Sequence, residues 1–290
     1  MCTSCINRRS MLKGCAGVVL AWTSASPLTA GDTRRTFKIG ACDWSIGARQ
    51  TPQALDVAKK IGLDGVQVSF GSAGVPYDLR KTDVRQLYQQ KCETLGLEVA
   101  SLGLAELNSI PYASDPRAEQ WVADCVDVMR KMKCRMALLA FFGNGDIKDK
   151  PREQEEVIRR LKRVAPKAEE AGVILGIESW LNADEHIHIL DAVGSPAVQV
   201  YYDVANMEHR GYDIYKEIRQ LGSDRICQIH AKEDGALLGQ GKVDFPKVKE
   251  ALDDIQWSGW LVIESATVPG KSMEECYQLN QKYLRSVFPT

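Results

Sequence analysis

The chain has 290 residues, with 37 Lys and Arg against 38 Asp and Glu, so it lacks the basic excess that a nucleic-acid-binding surface normally carries. Its 44% hydrophobic and 26% charged residues describe a globular protein, and the length suits one domain with a full core. The nine cysteines are scattered, with CxxC spacing only at Cys2 and Cys5, so a disulfide framework is not indicated.

At the N-terminus, Asn7, Arg8, Arg9, Ser10, Met11, Leu12 and Lys13 read as a twin-arginine export signal. An apolar stretch over 15–22 follows, and Leu28, Thr29 and Ala30 form a small-residue cleavage site. The apolar stretch is too short for a permanent transmembrane anchor, and Lys13 spoils a lipoprotein signal at Cys15. The expectation is a leader over 1–30 and a single domain over 31–290, located in the periplasm or outside the cell without a stable membrane anchor. The leader holds three basic residues and no acid, which leaves the mature chain mildly acidic.

From there, strand-like and helix-like segments alternate eight times. A strand over 37–43 precedes a helix over 52–61 with Thr51 as its N-cap. Strands over 65–70 and 98–104 flank a helix over 83–95 that Gly96 stops. Asp115 and Pro116 start a helix running to 132, and a strand over 135–142 leads into a helix over 152–171 in which Pro166 marks a kink. Strands over 173–178, 198–203, 225–230 and 260–264 then alternate with helices over 184–193, 212–221, 245–254 and 273–287. Eight near-regular units in about 250 residues predict an α/β fold, the single-domain (β/α)8 TIM barrel, over an open doubly wound sheet.

Four of these runs, VILGIE, AVQVYYD, RICQIH and WLVIE, close on Glu178, Asp203, His230 and Glu264. In a parallel barrel all strand ends of one polarity meet at one mouth, so the four residues converge there. Two Glu, one Asp and one His suit a divalent metal of mixed oxygen and nitrogen preference, such as Mn²⁺, Co²⁺, Zn²⁺ or Mg²⁺.

In that order, the segments GIESW, YYDVANMEH, QIHAKE, LGQGKVDFPKV and LVIES resemble the xylose isomerase-like superfamily of sugar and sugar phosphate isomerases and epimerases. The resemblance covers about residues 36–288 and is strongest in the second half. It implies that Glu178, Asp203, His230 and Glu264 bind one divalent metal, commonly Mn²⁺ or Co²⁺ in the ketose 3-epimerase branch. It further implies that Glu178 and Glu264 exchange the substrate proton. Proteins of this kind often pair, so a homo-oligomer is expected beside the small-molecule carbohydrate partner. The chain departs from the epimerase pattern in three places. Asn206 stands where a His is usual, Asp184 with Glu185 next to it stands where a second Glu is usual, and AKEDGALLGQG after His230 offers no matching Arg.

Lys232, Asn206, His209 and Glu106 are candidate polar contacts to substrate, each weighed against a solvated loop residue. Trp44, Phe142 and Trp180 are candidate walls for a sugar ring, weighed against ordinary packing. His186 and His188, two apart on a helix, face different directions and are read as structural. The DNA-repair branch of the superfamily needs extra histidines for three zinc ions, where the second and third strand ends offer Gln67, Ser69 and Glu106. The expected activity is isomerisation or epimerisation of a carbohydrate through an enediolate. The alternatives are a keto-sugar or keto-glycoside lyase or dehydratase on the same site, and a sugar-binding barrel without catalysis.

Overall fold

Eight parallel strands close on themselves in the order of the chain, β1 (Lys38–Cys42), β2 (Gly65–Ser69), β3 (Glu98–Leu104), β4 (Met136–Phe141), β5 (Ile174–Ser179), β6 (Val198–Asp203), β7 (Ile226–Ala231) and β8 (Trp260–Ile263), with β8 pairing back onto β1. The structure is a computed structural model that describes residues 36–265 and 267–289. The leader expected over 1–30 lies outside the described residues.

The helices α1 (Gln53–Ile61), α2 (Thr82–Leu95), α3 (Pro116–Met132), α4 (Pro151–Ala171) and α5 (Ala183–Val193) follow the first five strands in turn. After β6 come two helices, α6 (Val204–His209) and α7 (Ile214–Leu221), and then α8 (Phe245–Asp254) and α9 (Met273–Val287) complete the ring. This is the expected TIM barrel. Among the described residues no helix is long and apolar enough to cross a membrane.

The main core lies between sheet and helices. Ile39, Ala41, Val66, Val68, Leu139 and Phe141 point outward from the strands into it and are wholly or nearly wholly buried. The opposite phase of the two-residue period points into the barrel, where Cys42, Ala100, Trp260 and Val262 form one small cluster and Leu138, Ala140, Tyr201 and Cys227 another. Gly65 makes room for this filling, since a Cβ there would stand 2.8 Å from the Trp260 ring and 2.3 Å from the Glu98 carbonyl oxygen.

Local signals account for most helix ends. Asp115 caps α3 by accepting from the Arg117 amide, and α2 stops at Gly96 in the left-handed conformation. Thr51 does not cap α1. Its hydroxyl donates to the Ala48 carbonyl, and the helix begins after Pro52 without a side-chain cap. The helix α4 continues through Pro166, and the six described cysteines are free thiols.

Candidate metal centre

The four strand-end residues come together at the C-terminal mouth. Glu178 is the last but one residue of β5, Asp203 ends β6, His230 is the last but one of β7, and Glu264 directly follows β8. His230 Nδ1 lies 2.8 Å from Glu178 Oε1, 3.8 Å from Asp203 Oδ2 and 3.6 Å from Glu264 Oε2. One ligand atom from each of the four lies within 4.8 Å of all the others. Ligands on opposite sides of a single divalent ion stand about 4–5 Å apart, so the group fits one ion.

Asp203 supplies a sharper test of that fit. Its Oδ1 accepts the amides of Ala205 and Asn206, both at 2.9 Å, as the N-cap of α6. This fixes the carboxylate and turns Oδ2 into the cluster, where it is buried without a hydrogen-bond partner. A buried carboxylate oxygen is costly unless paired or metal-bound, and a cation at this point removes the cost.

Charge balance points the same way. Lys232 Nζ lies 3.2 Å from Glu264 Oε2 and 3.7 Å from Asp203 Oδ2. Three carboxylates, one divalent cation and the Lys232 ammonium sum to zero. Without the cation the strain falls on the side chains themselves. Burial would lower the His230 pKa, but Glu178, Glu264 and Asp203 outweigh it and push it up to about 9. Burial, helped by Glu178 and Glu264 and opposed by Lys232, raises the Asp203 carboxyl. Burial also opposes ionisation of Glu264, yet His230, Lys232 and the Trp44 hydrogen bond hold its pKa below the ordinary value.

Beside the quartet is a cavity of ≈ 380 Å³ lined by Trp44, Arg49, Asn108, Phe142, Trp180 and Asn206, together with Glu178, Lys232 and Glu264. Trp44 is more than a wall, because its indole Nε1 donates to Glu264 Oε1 at 2.7 Å. Phe142 and Trp180 meet edge to face with ring centroids 4.9 Å apart, and Lys232 donates to Asn206 Oδ1 at 3.2 Å. A cleft of ≈ 310 Å³ at the opposite end of the barrel, between Arg135, Gln199 and Trp257, holds no comparable group of ligands among the described residues.

Other candidates fall outside the cavity. Glu106 stands behind the lining, 3.4 Å from the guanidinium of Arg49. His209 is placed away from the site: it ends α6 one turn beyond Asn206, and its side chain is 67% exposed, 3.8 Å from Asp234. Neither Asp184 nor Glu185 reaches the cavity. Asp184 accepts from Gln220, while Glu185 completes a capping box with Asn182 and binds Lys148 at 2.5 Å. His186 is buried between Ser179 Oγ at 3.0 Å and the Asn182 carbonyl at 3.1 Å, and His188 is exposed on the other side of α5.

Arg49 escaped the reading of the sequence, and Gln67, noted there only as a residue of the second strand end, was given no part in this site. Arg49 reaches the cavity from the β1–α1 loop, just before Gln50 with φ of 58°. Gln67, a polar residue in the otherwise apolar GVQVS, is fully buried with Oε1 2.8 Å from His230 Nε2. The lone amide on an inward strand position was the available signal.

A family model described as xylose isomerase-like TIM barrel matches residues 55–287. Over 131 residues the chain is 30% identical to a D-psicose 3-epimerase of Enterocloster bolteae, a match spanning 42% of this chain and 43% of that protein. Over 227 residues it is 25% identical to the 2-epi-5-epi-valiolone 7-phosphate 2-epimerase of an Actinoplanes species, spanning 75% and 82%. The structure of a D-psicose 3-epimerase from Clostridium cellulolyticum with D-tagatose superposes with a TM-score of 0.73 at 18% identity, covering 87% of this chain and all of that one. The chain belongs to the xylose isomerase-like TIM barrel family.

Proposed function

We propose that this protein is a carbohydrate epimerase or isomerase that depends on one divalent metal and moves a proton through an enediolate. The observation that carries the reading is the entry of two carboxylates, Glu178 and Glu264, into one cavity from strands separated by β6 and β7. A carbon held between them presents one face to each. One glutamate takes the proton from beside the carbonyl and the other returns it on the opposite face, which inverts the centre. Proton return by the same carboxylate, to the neighbouring carbon, gives aldose–ketose isomerisation instead.

Glu178, Asp203, His230 and Glu264 would hold the cation, and their oxygen-rich set with one imidazole suits Mn²⁺ or Co²⁺ first, then Zn²⁺ or Mg²⁺. When bound, such an ion stabilises the negative charge that builds on the substrate oxygens of the enediolate. Lys232 adds a fixed positive charge beside Glu264, and the Trp44 hydrogen bond orients that carboxylate. Trp44, Phe142 and Trp180 offer apolar faces to the C–H side of a sugar, while Arg49, Asn206 and Lys232 offer polar groups to its hydroxyls. The named epimerase relatives support a small sugar or cyclitol as substrate.

A second reading keeps the metal and the proton abstraction but ends in elimination. The Lys232 ammonium in the cavity favours it, as a hydrogen-bonding positive charge that would stabilise a departing oxygen. Residues 1–30 are proposed as a twin-arginine leader that carries the folded protein out of the cytoplasm, which would suit free or glycosidic sugars over sugar phosphates. The test of function is solvent-deuterium uptake into a panel of keto-sugars by the metal-loaded protein and its Glu264→Gln variant. Exchange that Glu264→Gln abolishes supports the enediolate, and product mass separates epimerisation from elimination. Metal binding with no exchange into any sugar would leave a binding protein.

A further inference from the structure

We propose that Gln67 is a positioning residue for His230: its amide oxygen accepts the Nε2 proton and so keeps Nδ1 bare and aimed at the three carboxylates. The inference rests on the reading of the quartet as a divalent-metal site. A neutral imidazole carries one N–H, and a metal can bind only the nitrogen without it. In His230 the nitrogen facing Glu178, Asp203 and Glu264 is Nδ1, so the proton belongs on Nε2. Gln67 Oε1 lies 2.8 Å from that nitrogen.

The Cys42 thiol supports the same orientation of the amide. It donates to the same oxygen at 3.0 Å and stands 3.4 Å from His230 Nε2. If the amide turned over, its NH₂ would face two donors at once. All three side chains are fully buried, so no solvent can substitute for the missing acceptor. The arrangement also has a cost, since Gln67 Nε2 is buried with no partner. An apolar residue would fill this inward position of β2 without that loss, so the amide is explained by the oxygen it presents. A carboxylate would accept equally well, but it would add a fourth negative charge to a site whose charges already balance.

The test is Co²⁺ affinity, by competition with a chelating dye, in the wild type, Gln67→Met and Gln67→Glu, with apoprotein melting temperatures recorded alongside. Gln67→Met is expected to weaken Co²⁺ binding roughly 10- to 100-fold while the apoprotein still folds cooperatively at a somewhat lower melting temperature, and Gln67→Glu to stay within a few-fold of wild type. A measurement on the wild type alone covers a variant that fails to fold. With ¹¹³Cd²⁺ and ¹⁵N-histidine, His230 should show metal coupling at Nδ1 and a slowly exchanging proton on Nε2. Folded Gln67→Met with wild-type affinity, or cadmium coupling at Nε2, overturns the assignment. A wild type that binds neither Co²⁺ nor Cd²⁺ overturns the metal site and this inference together, whereas a metal-binding wild type indifferent to Gln67→Met sinks this inference alone.

Discussion

The indole of Trp44 hydrogen-bonds Glu264 at 2.7 Å, tying the loop after β1 to the residue that follows β8. The two strands are neighbours across the seam that closes the barrel, so this bond sits where chain closure and a carboxylate of the candidate metal centre meet. Glu264 Oε1 is held by the indole, while Oε2 faces Lys232 and His230. Trp44 therefore restrains Oε1 and leaves Oε2 as the oxygen that would be offered to a cation held by the quartet.

Trp44→Phe keeps the ring and removes the donor. A hydrogen bond to a charged group is worth about 1.5–3 kcal/mol, so kcat should fall roughly 10- to 100-fold while metal content stays near one equivalent. Gly103→Ala offers an independent check, because its Cβ would stand 2.9 Å from Trp44 Cζ3 and displace the same ring. Equal activity in both variants and the wild type would show that the bond has no catalytic role.

Removal of the metal should leave a folded but less stable barrel. A ligand that binds only the native state adds about 2.7 kcal/mol at one hundred times its Kd, which for a domain of this size is about 5–10 °C in Tm. Thermal melts after chelation and after adding Mn²⁺ should differ by that amount in the wild type. Asp203→Ala should abolish the difference, since it removes Oδ2, the buried carboxylate oxygen of the cluster that has no hydrogen-bond partner.

Lys232 makes a prediction of opposite sign for binding and rate. Burial opposes its charge, but Asp203, Glu264 and Glu178 outweigh burial and raise its pKa, so it is an ammonium at neutral pH. It competes with a cation for the same carboxylates. Lys232→Met should therefore bind Mn²⁺ about tenfold or more tightly while turning over more slowly. Calorimetric titration beside steady-state kinetics would show the split, and weakened metal binding would contradict it.

What the sequence made legible was whatever is written locally. Apolar runs, Gly96 as a stop, Asp115 as a cap and the placing of Glu178, Asp203, His230 and Glu264 at strand ends all follow from short-range patterns. The capping box between Asn182 and Glu185 was equally local, and it explains why Glu185 turns away from the cavity. The short helix α6 went unseen because YYDVANMEH reads as a strand running into a loop, although Asp203 is both its N-cap and a cluster residue. Contacts across the barrel left no trace in periodicity. Trp44 and Glu264 are 220 residues apart, and Gln67 and His230 are 163 apart, so only closure of the sheet brings each pair together.

His186 lends the fold a pH dependence that can be isolated. Burial, opposed only in part by its hydrogen bond to the Asn182 carbonyl, lowers its pKa from 6.5 to about 4. In the unfolded chain the ring takes up a proton near 6.5, and in the folded protein only near 4. Between these values the unfolded state binds the extra proton, so this contribution is fully present above pH 6.5 and is lost as the pH falls towards 4. By pH 5 the loss should reach about 2 kcal/mol. Urea denaturation at pH 7.5 and 5.0 would measure it, with His186→Gln separating it from buried carboxylates such as Asp203, whose pKa burial raises. The wild type should lose about 2 kcal/mol more than His186→Gln over that interval, and an identical loss in both would mean that the buried ring does not stay neutral. Because His186 joins Ser179, the neighbour of Glu178, to the start of α5, mild acid should loosen this end of the metal centre before it unfolds the barrel.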